Sequence, residues 1–425
     1  MRKILTLVYY HSMARFFCAI EDAWKQLEPD AQFLHLAVFP GAWAYFKIHG
    51  RQVVPLSWRA HASLASGAAL SDEELEGLIR FHASDPNIAP AQQKKLQRQG
   101  HKMLGLCELL VTQFDPDVAI VSGDTRLPAE SLMHALKGTK AVTWYFEQGP
   151  YRTTVLDRQG VNANCSFRRE LARLEASGTP FKPPVTDTMR WSNKAYTLLD
   201  RFALAQGAIT GLVPPDLIPY RLRRCSRTCY ASLRSKEFVE ADAGKVVLVA
   251  LQVPEDANNI YHNPLRLDDV GLLQFVLASA DPSWTIVVRE HPLYRRKYSH
   301  AFYDLIAVSG NVILSAASLS QDLERSRTTV TVNSMTGLDA FAKEHRVILL
   351  GESFYDHLPG ILTARSKAEL RELLIGEYVM PGAKRAQLIG PLIDRYFFKG
   401  HFTDIDLTFT RSIAQRVLAS LPGAA

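Results

Sequence analysis

Glu147 closes an apolar run, Ala141 to Phe146, and is followed at once by Gln148, Gly149, Pro150, Tyr151 and Arg152. A carboxylate at such a strand end can serve as nucleophile or as general acid or base in glycosyl transfer, where an oxocarbenium-like centre needs negative charge close by. An ion pair with Arg152 or Arg126 is an equal alternative for the same side chain. An earlier run, Asp117 to Val121, ends in Gly123, Asp124, Thr125 and Arg126, and Asp124 carries the same two readings. Downstream, Gly160-Val161-Asn162-Ala163-Asn164 adds amide side chains suited to sugar hydroxyls.

Three later strand ends also release polar groups: Gln252 to Asn258, Arg289-Glu290-His291-Pro292, and Asn333-Ser334-Met335-Thr336-Gly337-Leu338-Asp339. The last reads as a strand passing into a helix, whose first N–H groups and dipole can hold a phosphate, with Gly337 letting the backbone approach closely. His291, with Arg289, Arg295, Arg296 and Lys297 nearby, can neutralise a phosphate, although a His before Pro is also a common turn residue. No G-x-G-x-x-G or G-x-x-x-x-G-K-[ST] string occurs in the strand-to-helix context those sites need, which argues against NAD and P-loop readings.

The elements that must hold these residues follow from the apolar pattern. Ile4 to Tyr9 predicts a buried first strand. A helix capped by Ser12 follows, with Phe16, Phe17, Ile20, Trp24 and Leu27 at helical spacing, and then a strand from Phe33 to Phe39. Ser71 to Leu110 is helical, entered through Ser71-Asp72-Glu73-Glu74, and its basic residues form a solvated face. Pro128 to Leu136 is a helix between the two strands named first. Weak strand signals from Arg168 to Gly244, with Pro183-Pro184, Pro214-Pro215 and an arginine-rich run from Arg221 to Lys236, predict helical connections. That basic run is either a patch for an anionic surface or an exposed helix with no partner. From Lys245, strands at Val246 to Leu251, Trp284 to Val288, Val312 to Leu314, Thr328 to Val332 and Val347 to Leu350 alternate with helices.

The fold class predicted is α/β, with two Rossmann-like domains facing across a cleft. The domains fall at 1–190 and 244–390, with a helical connection at 191–243 and a C-terminal helical tail at 391–425 that packs across the domains.

Composition allows this plan. At 425 residues and 47% hydrophobic, the chain can bury two cores. Lys and Arg exceed Asp and Glu by 49 to 43, a formal charge of +6 that suits an anionic membrane surface or a phosphorylated substrate. Nucleic acid is disfavoured because the basic residues do not alternate with exposed aromatics. Five scattered cysteines fit neither a disulfide framework nor a zinc site and point to a reducing cytoplasm. No apolar run approaches the roughly 18 residues of a spanning helix, and Ile4 to Tyr10 is too short for a signal peptide.

The Gly123-Asp124-Thr125-Arg126 turn, the string Phe146-Glu147-Gln148-Gly149-Pro150-Tyr151-Arg152-Thr153-Thr154 leading to Gly160-Val161-Asn162-Ala163-Asn164, the Arg289-Glu290-His291-Pro292 turn and Ser334-Met335-Thr336-Gly337-Leu338-Asp339-Ala340 occur here in one order. In these the sequence resembles the capsular polysaccharide biosynthesis and export family of Gram-negative bacteria, the KpsS/LipB-like proteins. The resemblance implies a GT-B-like, retaining β-Kdo transferase. It would use CMP-Kdo, no metal and no other cofactor, to start the poly-Kdo linker of a capsule on a (lyso)phosphatidylglycerol acceptor, working from the cytoplasmic face of the inner membrane beside the capsule assembly machinery. Gln252, Arg289, His291, Lys297, Asn333, Ser334, Thr336 and Gly337 would bind the donor. Glu147 would be the catalytic carboxylate, and Gly123, Asp124, Arg126, Gln148, Arg152, Asn162 and Asn164 would meet the acceptor. Related transferases carry an acidic pair before the glycine; here it is Glu147-Gln148, which puts the role on Glu147. Another nucleotide-sugar polymer transferase, or a non-catalytic capsule assembly or export component, is the alternative.

Overall fold

In the computed structural model the described residues are 1–62, 70–84, 88–181, 190–210, 225–234, 242–377 and 380–422, with no account of side chains at 203–210. Pro183-Pro184, Pro214-Pro215 and part of the arginine-rich run lie outside them.

The chain begins β1 (Lys3–Val8), α1 (His11–Leu27), β2 (Gln32–Ala37), α2 (Pro40–Ile48), β3 (Val53–Pro55), α3 (Leu56–Ala62), α4 (Asp72–Ala83), α5 (Pro90–Phe114), β4 (Val118–Ser122), α6 (Leu127–Leu136), β5 (Val142–Gln148) and β6 (Thr153–Asp157). Tyr10, in extended conformation, caps α1. Ser12, expected as that cap, lies inside the first turn, because the chain turns helical directly after the strand. After α7 (Lys194–Thr210) and α8 (Arg227–Arg234) the chain continues β7 (Val246–Ala250), α9 (Ala257–Tyr261), α10 (Asp269–Ser279), β8 (Thr285–Arg289), α11 (His300–Val308), β9 (Val312–Leu314), α12 (Leu319–Arg325), β10 (Thr328–Thr331), α13 (Thr336–Ala342), β11 (Arg346–Leu349), β12 (Ile361–Thr363), α14 (Lys367–Ile375) and α15 (Gly382–Tyr396). It ends in β13 (Phe398–Lys399) and α16 (Thr410–Ala419).

Two compact units result, Met1–Val161 with Val185–Pro219 and Tyr396–Ala425, and Asn162–Pro184 with Tyr220–Arg395. The division expected at 190 therefore falls at 161, and the tail, expected to pack across the domains, clusters with the first unit from Tyr396 onward. Both shifts have physical causes. Arg168 makes a bidentate ion pair, 2.9 and 2.5 Å, with Asp356, whose side chain is 2% exposed, and this ties Asn162–Pro184 to the second unit. In the tail, β13 pairs antiparallel with β6, Trp191 N–H donates to the Thr403 carbonyl at 2.8 Å, and Ile413, Ala414 and Val417 of α16 join Phe16 and Phe17 of α1 in one core.

The first sheet runs β3-β2-β1-β4-β5-β6-β13, parallel from β3 to β5 and antiparallel beyond. Its strands β1, β2 and β4 are buried on both faces, which is why they read as near-continuous apolar runs, whereas β5 buries one face, through Trp144 and Phe146. Ile4 and Val8 face α1 and α16, whereas Leu5 and Leu7 face the side lined by Leu78, Leu104 and Leu132 of α4, α5 and α6. Phe146, 1% exposed, meets the rings of Phe16 and Phe17 at 5.1 and 5.6 Å, burial that contributes about 1.5–3 kcal/mol.

The second sheet runs β9-β8-β7-β10-β11-β12, all parallel. Numbered within the unit this is the doubly wound order 3-2-1-4-5-6, and the first sheet repeats its 3-2-1-4 portion. In such sheets ligands enter at the carboxyl ends of the strands where the order reverses, here between β7 and β10 and between β1 and β4. One helix is broken chemically: Pro391 inside α15 has no N–H for the Gln387 carbonyl, and the Ser177 N–H takes that acceptor at 3.4 Å.

Candidate active site

The reversal point of the second sheet gathers residues expected at the donor. Gln252 follows β7 and Asn333 follows β10. The Gln252 amide nitrogen donates to Asn333 Oδ1, and the Asn333 N–H returns a bond to Gln252 Oε1 at 3.1 Å. The Asn333 amide also donates to the carbonyls of Asn258 and His262, at 3.0 and 3.2 Å, so its plane is fixed. His291, after β8, is linked to the same point through Tyr298. The buried phenol accepts the His291 N–H at 3.1 Å and donates to the Gln252 carbonyl at 2.9 Å.

Glu290 braces this turn from below. It is 7% exposed, and Oε1 accepts from the Tyr303 hydroxyl at 2.6 Å and the Arg296 N–H at 3.0 Å, while Oε2 accepts from Tyr230. Burial, and then Glu290 itself, push both phenols up, which keeps them protonated as donors. Glu290 and Tyr298 had no assigned role in the sequence; the acid sitting inside the Arg289-Glu290-His291-Pro292 string was the available signal.

Several expected donor contacts are spent inside the protein. Burial lowers the His291 pKa against the charge of Asp256, and Nδ1 accepts the Leu293 N–H at 3.3 Å. The ring thus also serves the turn role that a His before Pro commonly has. Arg289 donates to Asp322 at 2.7 Å and to the Ala317 carbonyl at 3.0 Å, so its charge is balanced within the unit. Lys297 donates to the Leu293 carbonyl at 2.8 Å, across its own turn. The Ser334 hydroxyl accepts the Thr336 N–H at 3.2 Å, and the Ser334 carbonyl takes the Tyr355 phenol. Gly337 is glycine because of that phenol: a Cβ would lie 2.5 Å from the Tyr355 hydroxyl. Internal packing sets this position, where close approach to a phosphate was expected.

The first unit's edge is different. Gly123, at φ +72°, turns the chain after β4, and buried Asp124 accepts the Val161 N–H at 2.9 Å. Glu147 lies opposite Val155 of β6, half-buried, with Oε1 accepting the Gln148 N–H at 2.9 Å. Gln148 points the other way, its Oε1 3.4 Å from His401 Nε2. Arg152 is paired with Asp404 of the tail, and the Arg126 guanidinium stacks 4.9 Å over the Phe81 ring. Tyr151, Arg152 and Asn162 all have left-handed backbone, at φ 53°, 59° and 54°. Such strain concentrates at functional segments.

Asn162 and Asn164 cluster with the second unit, unlike the other residues expected at the acceptor. The first unit supplies instead two titratable groups that sequence reasoning passed over. Glu130 on α6 is pushed up to about 7, by burial and then by the charge of Asp124. His82 is lowered to about 3, by burial and then by Arg126, and as a neutral acceptor it takes the Leu127 N–H at 3.4 Å. Both shifts come first from tertiary burial, which no local pattern announces, and the charge beside His82 comes from the distant Arg126. Among the described residues no group of three or more His, Cys, Asp or Glu is placed to hold a metal ion, and no helix is long and apolar enough to cross a membrane.

Against known protein families, residues 118–374 match the one described as capsule polysaccharide biosynthesis protein, more than half of the chain. The chain belongs to that family. The matched region of the chain starts at β4 and ends in α14, so it takes in both strand-end groups that follow β4 and β5 and all three of the second sheet. Protein FixF of Sinorhizobium fredii is 26% identical over 306 residues, covering 69% of this chain and 64% of FixF. The capsule polysaccharide modification protein LipB of Neisseria meningitidis is 26% identical over 290 residues, covering 61% of this chain and 69% of LipB. The chain thus spans less than two thirds of FixF. Among solved structures, the β-Kdo 2,7 transferase of Thermosulfurimonas dismutans KpsC is 15% identical, with a TM-score of 0.37 over 76% of this chain and 97% of that one. At that score the likeness carries no argument about activity.

Proposed function

We propose that this family member is a glycosyltransferase that moves Kdo from CMP-Kdo to a (lyso)phosphatidylglycerol acceptor with retention of configuration, beginning the poly-Kdo linker of a capsule. It would do so without a metal, as a peripheral protein at the cytoplasmic face of the inner membrane. The observation that carries the reading is the braced polar group at the reversal point of a doubly wound sheet, Gln252, His291 and Asn333, in a chain of the capsule polysaccharide biosynthesis family. The Kdo donor rests on the resemblance of the motif block from Phe146 to Asn164.

In this reading Gln252, His291, Asn333, Ser334 and Thr336 hold the nucleotide through neutral hydrogen bonds. Glu147 attacks the anomeric carbon as CMP leaves, giving a glycosyl–enzyme ester. The acceptor hydroxyl then displaces Glu147 from the face that CMP left, its proton passing to the released CMP phosphate, and two displacements at one centre restore its configuration. Asp124, Gly123, Arg126, Gln148, Asn162 and Asn164 are assigned to the acceptor.

Purified protein is incubated with CMP-Kdo and a lyso-phosphatidylglycerol analogue, with CMP and UDP titrated in parallel by thermal shift. The reading expects a Kdo-lipid product and a melting temperature raised by CMP and not by UDP. A shift with UDP alone would point to another nucleotide-sugar polymer transferase. Folded protein that neither shifts with a nucleotide nor forms product would leave a non-catalytic assembly component.

A further inference from the structure

α7 is held by one face. The Tyr196 ring stacks on His11 at 5.5 Å and meets Tyr45 edge-on, also at 5.5 Å. One turn later Asp200 accepts the Gly41 N–H at 2.6 Å and sits 3.9 Å from the His11 imidazole. A Cβ on Gly41 would lie 2.7 Å from that carboxylate, so Gly41 and Asp200 fix how α7 seats on the N-terminus of α2.

The other face is composed in the opposite way from an ordinary solvent face. Lys194, Ala195, Leu198, Arg201 and Phe202 are exposed at spacing i, i+1, i+4, i+7 and i+8, a single stripe. Leu198 is 67% exposed and Phe202 69%, although burying either would be favourable. Asp200, the acid of this stretch, is turned inward, so the stripe presents large apolar groups and cations together. None of the residues assigned to donor or acceptor lies on it.

We propose that this face of α7 docks on an anionic phospholipid surface. Leu198 and Phe202 enter the boundary between headgroups and acyl chains, while Lys194 and Arg201 meet lipid phosphates. Charge complementarity selects this occupant: a stripe with two cations and no exposed acid fits a negative bilayer, and aromatic and leucine side chains beside basic ones are what interfacial helices use. Two apolar anchors and two cations make the attachment reversible and salt-sensitive.

The test is flotation of the full chain with vesicles, without nucleotide or sugar; because phosphatidylglycerol is also the proposed acceptor, the variants of α7, which leave every residue assigned to donor or acceptor untouched, separate docking by this face from acceptor binding. Vesicles are phosphatidylcholine alone, or phosphatidylcholine with about 30% phosphatidylglycerol. Binding is expected to the second kind only and to fall with added salt. Leu198→Ser/Phe202→Ser and, separately, Lys194→Glu/Arg201→Glu should each weaken it about tenfold, with melting temperatures like that of the parent. The proposal is overturned if the parent chain ignores phosphatidylglycerol, or if both folded variants bind as the parent does. It is also overturned if size measurements without vesicles show the parent self-associating through this face and the variants monomeric.

Discussion

The carboxyl edges of the two sheets share a strand order and differ in chemistry. In the second unit the edge is cross-linked by hydrogen bonds: Tyr298 joins the turns after β7 and β8, Gln252 and Asn333 join those after β7 and β10, and Glu290 anchors the loop through two phenols. Its arginine, Arg289, is already neutralised by Asp322. The first unit's edge holds three carboxyl groups, Asp124, Glu130 and Glu147, beside left-handed backbone at Tyr151 and Arg152, where the carboxylate of the second edge, Glu290, is taken up by three internal donors. A preorganised edge whose charged groups are held by internal partners suits binding, since little ordering cost remains to be met by a ligand. A strained edge with a displaced carboxyl pKa suits proton or group transfer.

Glu147→Gln gives the widest separation between the edges. Transfer should fall by at least about a thousandfold, measured as initial rate, while the CMP-induced rise in melting temperature persists; loss of that rise would break the division of labour. Within the second unit, Arg168→Met removes the guanidinium from buried Asp356, leaving it the His357 imidazole and the Ser353 N–H, and should cost about 3 kcal/mol in denaturant unfolding. Gly337→Ala should cost about 2 kcal/mol by pressing on Tyr355. Combined with Tyr355→Phe, it should cost less than the sum of the single changes. A Gly337→Ala protein with parent stability but weak CMP binding would instead return this glycine to the ligand.

Tyr298→Phe removes the hydroxyl between His291 and Gln252. CMP binding, followed by calorimetry, should weaken about tenfold with kcat barely changed. The smallest effect concerns pH. Glu130, raised from an ordinary 4.5 to about 7, keeps in the folded chain a proton that the unfolded chain releases. Its contribution to stability is complete below the unfolded value and is lost as pH rises through the folded one. The drop in melting temperature from about pH 5 to pH 8 should therefore be smaller in Glu130→Gln than in the parent. An unchanged drop would remove Glu130 from the contrast.

Strands β1, β4, β7, β8 and β11 were legible because parallel strands covered on both faces leave continuous apolar runs, and β10, Thr-Thr-Val-Thr, was legible as a β-branched one. β6 was not, since it opens on the polar pair Thr153-Thr154, which lies buried where the strand pairs with β5 and the distant β13. The unit boundary was illegible for a similar reason: Arg168 finds Asp356 188 residues away. At the candidate site, Gln252, His291 and Asn333 could be picked out as polar residues at strand ends. Which of them stay charged, and which neighbours orient them, depends on tertiary partners such as Asp322, Tyr298 and Glu290 that carry no local signature.

The interleaved path of the chain has a consequence for its synthesis. The first unit begins with β1 yet needs β13 and α16, so its sheet edge and the outer side of α1 wait until residues 396–419 have left the ribosome. The second unit is translated whole within that wait. Vectorial, one-domain-then-the-next maturation is therefore closed to this protein, and the aromatic flank of α1 around Phe16 and Phe17 stands open to chaperones for most of translation. A chain ending at Arg395 should show this directly, with protease cutting early within His11–Leu27 while the second unit resists.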